Sequence, residues 1–477
     1  MSNPAKDIVN SYPLYPAIFG GSVDNNRNMK ISVYGHKALN KPAMVDNDTS
    51  FVLGSCSKSM TAAMIIKVCY MKGIPNAMRT ITLGSVIPTV MNEYKNVTLR
   101  QLLCMTSGIY DAHYVQDINF WGNFIHNYDD LRTQRALLTE KVCGKNAHKP
   151  AFPPGTAYSY SNFGYVVAVH IIETKFNSTY EDLMHQYLFR ELGFTAELPT
   201  AHATSADGEA IGHAVSGPQP ASYMNFWYNG TLKKLDPSLQ DPPSVSYKQM
   251  KAYVIDTPIQ YPPPIGGPFG AIRINMTNWL RYLTAVMMHD PNFLPEKTWT
   301  TFLNSGSVAT TKQWTPPPNG SPPGTPGKIT KSPARYSFGW SYIEGKEELL
   351  MYTGYIFTFT TDVFIHQGQT VVAAATNSGR STAIPTLPLH LLEKNMCPPE
   401  ATYLINIIGN TIKRQQKNPG SDAWPHYNGD LTTTKQQVKE QFSTRSGTTH
   451  IYIDSPADVL PLLLVLILLL TFYSHHR

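Results

Sequence analysis

Phe51-Val52-Leu53-Gly54-Ser55-Cys56-Ser57-Lys58-Ser59-Met60-Thr61-Ala62 is the stretch on which the fold turns. Gly54 allows a tight entry, Ser55 can act as nucleophile, and Lys58 follows three residues on. From Met60 to Met71 the chain is apolar around nearly its whole circumference until Gly73 stops it. A helix of that kind belongs in a core rather than on a surface. At its start Ser55 and Lys58 share a face, because positions three apart are neighbours. A lysine there is costly to bury charged, so its pKa should fall, which suits it to act as base for the serine. The same residues also fit a helix cap and a solvated first-turn lysine, and Ser-x-x-Lys alone is a loose pattern.

The chain has 477 residues, room for one large domain or about three average ones. Its 42% hydrophobic content against 15% charged residues allows a large core. The net charge of +6 is spread out, with no basic block interleaved with aromatics, which argues against nucleic acid as a partner. Cys56, Cys69, Cys104, Cys143 and Cys397 form no C-x-x-C pair and are too sparse for a disulfide scaffold. Cys56 and Cys69 fall on the apolar helix and read as core residues. Neither HExxH nor a carboxylate-rich calcium loop occurs, so neither a metal nor another cofactor is implied.

Strands are expected at both ends and helices between them. Ala17 to Val23 and Met29 to Tyr34 read as a hairpin turned at Asp24-Asn25-Asn26. Val97 to Leu103 opens on a capping threonine, and Pro153-Pro154-Gly155-Thr156 delivers Tyr158 to Asn162 to an apolar helix ending near Lys175. Thr179 to Leu192 and Thr277 to Met288 read as further helices. Residues 199–264 turn rich in Pro, Ser, Tyr and Gly and read as an irregular excursion, and 314–333 as a Pro/Gly-rich mobile loop. Tyr336 to Ile343, Leu349 to Thr353, Phe359 to His366 and Thr370 to Thr376 read as strands. The expected fold class is α+β: one antiparallel sheet from both chain ends, flanked by helices, with an inserted, mainly helical subdomain and a cleft between. Residues 1–16 form an N-terminal extension, 17–396 the main domain, 397–414 a helical extension and 415–458 a polar stalk.

At the far end, 459–473 is an uncharged, leucine-dominated run, shorter than the roughly 20 residues of a comfortable transmembrane helix. Three readings compete: a C-terminal membrane tail, preferred here, a lipid-anchor signal with Ser446-Gly447-Thr448 as its small-residue site, and a buried core helix. Met1 to Val9 lacks the apolar segment of a secretory signal, while sequons at Asn47, Asn96, Asn177, Asn229 and Asn275 lean toward an extracellular, glycosylated face. The membrane, through 459–473, is thus an expected partner, and a membrane location the expected one.

Three separated stretches converge on one chemistry: Ser55 with Lys58, Tyr160 with Asn162, and Tyr352-Thr353-Gly354. In this the chain resembles the serine β-lactamase and penicillin-binding-protein superfamily, whose signature is S-x-x-K, then S/Y-x-N, then K/H-T-G. The likeness is to its class C β-lactamase, D-Ala-D-Ala carboxypeptidase and esterase branch. It runs from about Ala17 to Gly379 and includes Val97-Thr-Leu-Arg-Gln-Leu-Leu-x-x-Thr-Ser-Gly108, Phe152-Pro-Pro-Gly-x-x-Tyr-Ser-Tyr-Ser-Asn-x-Gly-Tyr165 and Phe338-Gly-Trp340. The resemblance implies a β-lactamase/transpeptidase-like fold and a serine hydrolase working through an acyl-enzyme on a small-molecule ester, amide or peptide substrate. It implies Ser55 as nucleophile, Lys58 and Tyr160 sharing the proton, Asn162 orienting substrate, and an oxyanion hole from the backbone N–H groups of Ser55 and Tyr355. Read without the resemblance, Tyr160 also fits a cleft-lining aromatic and Asn162 a helix cap.

The third triplet departs from the family. Tyr352 stands where the pattern has Lys or His, and a phenol brings no charge near neutral pH. That disfavours substrates anchored by a carboxylate and leaves hydrolysis of an uncharged acyl group untouched. It also keeps an alternative in view: a catalytically weak or inactive relative serving as a binding or self-assembling membrane-associated module. A proline-rich adhesion ectodomain on a stalk would explain the tail but none of the motifs.

Overall fold

The structure, a computed structural model, describes residues 3–11, 15–74, 76–115, 130–199, 209–215, 252–254, 264–303, 312–317, 325–331, 335–343, 346–356 and 358–378. Thirteen strands fall within them: β1 (Ala17–Asp24), β2 (Met29–Gly35), β3 (Phe51–Val52), β4 (His213–Val215), β5 (Ala252–Val254), β6 (Arg273–Ile274), β7 (Lys312–Thr315), β8 (Lys328–Lys331), β9 (Arg335–Ser337), β10 (Trp340–Ile343), β11 (Lys346–Ile356), β12 (Phe359–His366) and β13 (Thr370–Thr376).

Seven of them form the antiparallel sheet expected from both ends of the chain, in the order β2-β1-β13-β12-β11-β10-β9. The first hairpin meets the last, with Gly20 opposite Ala374. Central strands β1 and β13 are buried along nearly their whole length, which calls for cover on both faces. Partners across an antiparallel pair share a face, so Ser32 points to the side of Gly20 and away from Gly21. Against Gly21 packs the helix Met276–Met288, so close that a Cβ there would meet Leu280 and Met276. On the other face Ser32 Oγ accepts the Ala5 amide of the helix Pro4–Ser11. The stretch expected as an N-terminal extension contains a helix that packs on the sheet.

The central helix runs Ser57–Met71 behind a 3-10 turn, Gly54–Cys56, and every residue from Gly54 to Cys69 is buried. The helices Leu99–Leu103 and Leu131–Cys143 pack on Phe163–Phe176, which packs on the central helix together with Tyr180–Met184. Thr98 and Gln101 close a reciprocal capping box at the first of these. The stretch expected as one helix from Thr179 widens into a π-turn at His185–Phe189. Leu131–Cys143 and Phe163–Phe176 are locked by Arg135, whose guanidinium bonds both oxygens of Glu173.

Several expectations are corrected. The loop expected at 314–333 carries a two-stranded ribbon, β7 with β8, because its backbone pairs with Tyr158. The single strand expected over Tyr336 to Ile343 is a tight hairpin, β9 with β10, turned at Phe338 (φ 49°) and Gly339 (φ 89°) against the central helix. The membrane and transmembrane reading is withdrawn: no helix among the described residues is long and apolar enough to cross a membrane. The run 459–473, like the expected helical extension 397–414 and the polar stalk 415–458, lies outside the described residues. So does most of 199–264; residues 199, 209–215, 252–254 and 264 are described, and among them β4 pairs with β5.

One histidine ties that excursion to the sheet. His213 is fully buried, its Nδ1 on the Asn377 carbonyl at 2.9 Å while Nε2 accepts the Leu39 amide at 3.1 Å. That pairing needs a neutral ring, and burial depresses its pKa from 6.5 to about 4. The unfolded chain takes the proton first, so this contribution is whole above pH 6.5 and is lost as pH falls toward about 4. The loss amounts to at most ~3 kcal/mol. Thermal melts from pH 7.5 to 4.5 should show this slope, and His213→Gln should flatten it; an unchanged slope in the variant would assign the acid sensitivity elsewhere.

Candidate active site

Three segments meet at the head of the central helix. The 3-10 turn presents Ser55 and aligns it with Lys58 one turn on, and Lys58 Nζ donates to Ser55 Oγ at 3.0 Å. From the other side the Tyr160 hydroxyl lies 2.7 Å from the same oxygen. Lys58 also donates to the Phe269 carbonyl at 2.8 Å. Its Nζ stands 4.9 Å from the Tyr160 ring centre and 5.4 Å from that of Phe269. Ser55, Lys58 and Tyr160 are all buried, with Lys58 at 0% exposure.

Tyr160 owes its position to backbone pairing on both sides. The Tyr158 amide donates to Lys312 O of β7 and its carbonyl accepts Trp314 N–H, while Ser159 N–H donates to Met105 O. The ribbon that composition hides is therefore what holds the tyrosine segment.

Asn162 begins the helix Phe163–Phe176, yet its side chain makes no capping bond. Capping falls to Asp111, from a segment fifty residues earlier. Its carboxylate accepts the Asn162 amide at 2.6 Å, the Phe163 amide at 3.4 Å and the Ser161 hydroxyl at 2.5 Å. Sequence reasoning missed Asp111 because a lone aspartate after the turn Thr106-Ser107-Gly108 has no local signature.

The third strand, β11, passes directly over the turn. A Cβ on Gly54, whose φ is +54°, would come 2.8 Å from the Tyr355 nitrogen and 2.9 Å from the Gly354 carbonyl carbon. One on Gly354 would run into Leu53 O and Thr361 Oγ1. Both positions need glycine, and their contact brings the Tyr355 backbone against the Ser55 turn. Thr361 Oγ1 fixes the junction by donating to Leu53 O at 2.7 Å. Thr353 is half-buried and donates to Asp362. Tyr352 is only 3% exposed, with its ring 5.7 Å from that of Tyr336, and Tyr165 is bonded to Tyr336 behind it.

Burial sets the electrostatics. It drives the Lys58 pKa well below its ordinary value, against an upward pull from Asp111. It raises Tyr160, against hydrogen bonds with Ser55 and Tyr352 that ease ionisation. It raises Asp111 to about 6, against hydrogen bonds from Ser161, Asn162 and Phe163 and the nearby Lys58. Cys56, beside the serine, is pushed up to about 12 by burial and is an inert thiol at neutral pH.

The family model described as Beta-lactamase matches residues 16–385, more than three quarters of the chain. The chain belongs to the Beta-lactamase family. Unguisins hydrolase ungD' of Aspergillus campestris is 21% identical to this Beta-lactamase-family chain over 390 residues, 80% of this chain and 62% of that protein. The chain thus spans about three fifths of that relative's length. Among solved structures, the octameric penicillin-binding protein homologue from Pyrococcus abyssi superposes with a TM-score of 0.56 at 17% identity, over 82% of this chain and 77% of that one. The D-amino acid amidase from Ochrobactrum anthropi gives a TM-score of 0.54 at 15% identity, over 82% and 95%. At such identities these likenesses concern the fold, which is β-lactamase/transpeptidase-like.

Proposed function

We propose that this Beta-lactamase-family chain is a serine hydrolase that forms an acyl-enzyme at Ser55 with a small ester, amide or peptide substrate. The observation that carries the reading is Ser55 Oγ held between Lys58 Nζ at 3.0 Å and the Tyr160 hydroxyl at 2.7 Å. Burial favours the uncharged form of both partners, an amine able to accept a proton and a phenol able to give one. Ser55 passes its proton to Lys58 as Oγ bonds to the substrate carbonyl carbon. The leaving oxygen or nitrogen departs with a proton from Tyr160, which Lys58 replaces. Water then attacks the ester in the reverse sense, giving its proton to the same pair and restoring the Ser55 hydroxyl.

The backbone N–H groups of Ser55 and Tyr355 serve as the oxyanion hole in this scheme, supported by the approach of Gly54 to β11. Asn162, Thr353 and Gly354 line the substrate side. Tyr352 supplies no cation, and its burial among tyrosines favours an uncharged acyl group over one that carries a carboxylate. The names of two relatives, a hydrolase and an amidase, are consistent with ester or amide substrates.

The test is fluorophosphonate labelling of the full chain, followed by adduct mass and a panel of esters, amides and β-lactams. The wild type should gain one adduct on Ser55 and hydrolyse uncharged esters or amides ahead of β-lactams. Ser55→Ala should neither label nor turn over. Equal labelling of wild type and variant, or none in either, would refute the assignment.

A further inference from the structure

We infer that Asp362 sets the hydrogen-bonding sense of Thr353 on the substrate side of this site: its buried carboxylate takes the one hydroxyl proton of Thr353, which leaves lone pairs for the substrate and selects an N–H donor there. The inference rests on the acyl-enzyme reading of Ser55 and deepens it by naming the chemistry of the group bound beside the nucleophile. Asp362 acts through Thr353 and is a positioning residue.

The sheet supplies the placement. Thr353 and Asp362 are directly opposed in the β11–β12 ladder, so their side chains stand on one face of it. Thr353 is half-buried, whereas Asp362 is fully buried. Thr353 is followed by Gly354, whose backbone packs on the turn that carries Ser55. On its other side Asp362 is opposed by Ala374 of β13, a side chain with nothing to donate. A carboxylate in such a position is costly unless hydrogen-bonded, and Thr353 Oγ1 donates to its Oδ1.

The direction of that bond follows from valence. An ionised carboxylate only accepts, and a threonine hydroxyl has a single proton. With the proton on Asp362, Thr353 Oγ1 is left to accept from a ligand. A substrate carboxylate brings acceptors alone, so lone pairs would face lone pairs, with the Asp362 charge one hydroxyl behind them. Tyr352, the preceding residue, brings no cation to offset this. A carboxamide of the same shape turns an N–H toward Thr353 Oγ1 and completes a chain from substrate through Thr353 to Asp362, in which the ionised end strengthens the bond. Burial of Tyr352 merely disfavours a carboxylate. The Thr353–Asp362 bond goes further and asks for a donor.

Three matched esters are compared on the full chain, carrying a carboxylate, a carboxamide or a methyl ketone beside the scissile bond, on the acyl side in one series and on the leaving side in a second. In one of the series the wild-type kcat/KM should favour the carboxamide over both others by about tenfold or more. Asp362→Asn should cut that preference by about tenfold, since the asparagine amide can donate to Thr353 Oγ1 and release the hydroxyl proton toward the substrate. The carboxylate ester should then gain on the methyl ketone. Each preference is a ratio within one protein, so a bond that is structural alone would lower all three esters together and leave the ratios in place. If Asp362→Asn does not fold, Thr353→Val takes the same measurement, and loss of the acceptor should bring the carboxamide down to the methyl ketone, mainly through KM. A wild type that favours the carboxylate, or treats carboxamide and methyl ketone alike in both series, overturns the inference, as does a preference that the substitution leaves unmoved. In those cases fluorophosphonate still labels Ser55 and the hydrolase reading stands. A wild type that is never labelled removes that reading, and this inference with it.

Discussion

Lys58→Met is expected to lower the acylation rate at Ser55 by between about 10²- and 10⁴-fold while leaving the melting temperature nearly unchanged. The two effects separate because the lysine is at once functional and costly. Its amine is fully buried, and burial is the leading cause of its depressed pKa. Methionine keeps the length and packing of the stem without a group to desolvate. The loss on the other side is the hydrogen bond to the Phe269 carbonyl, and an unpaired buried carbonyl costs ~1–3 kcal/mol. The two roughly offset. For catalysis nothing offsets: Ser55 keeps Tyr160 at 2.7 Å, but burial raises that phenol, so it cannot substitute as a base at neutral pH. Rates near wild type in Lys58→Met would instead make Tyr160 the sufficient base. A collapse of folding would show that Lys58 is held for structure.

How far the sequence could reach depends on whether a residue's partner is local. The central helix was legible because Met60 to Met71 is apolar all round, a pattern that has few other solutions. The strands β12 and β13 were legible as two short strand-like runs joined by a tight Gly-containing link, and with β1 they imply one sheet from both ends. Ser55, Lys58 and Tyr160 were legible as a motif, and the structure brings their atoms within hydrogen-bonding distance. Features fixed by distant backbone were not. β7 sits in a stretch whose prolines and glycines read as a loop, yet it pairs with Tyr158, more than 150 residues earlier. Phe338 at positive φ is an unusual turn residue, so the strand pattern read straight through the β9–β10 hairpin. Asp111 acts on amides fifty residues away, and no spacing rule anticipates that. The apolar tail misled in the opposite way, because composition named an environment before any helix of sufficient length was in evidence.

Arg135→Met should destabilise the protein by ~3–5 kcal/mol at pH 8, the largest stability effect of any single change considered for this chain. Arg135 and Glu173 are both fully buried and joined by two hydrogen bonds, of 2.6 and 3.0 Å. Two more reach Glu181, which is 27% exposed and can relax toward water. Removing the guanidinium leaves Glu173 as an uncompensated buried charge between the helices Leu131–Cys143 and Phe163–Phe176. Burial already raises the Glu173 pKa, and the arginine and the Tyr180 amide pull it down. In the variant the carboxyl is therefore expected to hold its proton to higher pH in the folded chain than in the unfolded one. The folded state then binds more protons, so the deficit should shrink as pH falls toward 5. Adding Glu173→Gln should recover a large part of the loss, because the buried charge disappears with its partner. Urea unfolding of the wild type, both single variants and the double, at pH 5 and 8, measures all of this. If Arg135→Met is no less stable at pH 8 than at pH 5, the cost comes from lost packing rather than from an orphaned carboxylate. The site itself is spared in either case: Glu173 lies three turns from Asn162, so fluorophosphonate labelling of the molecules that remain folded should proceed at the wild-type rate.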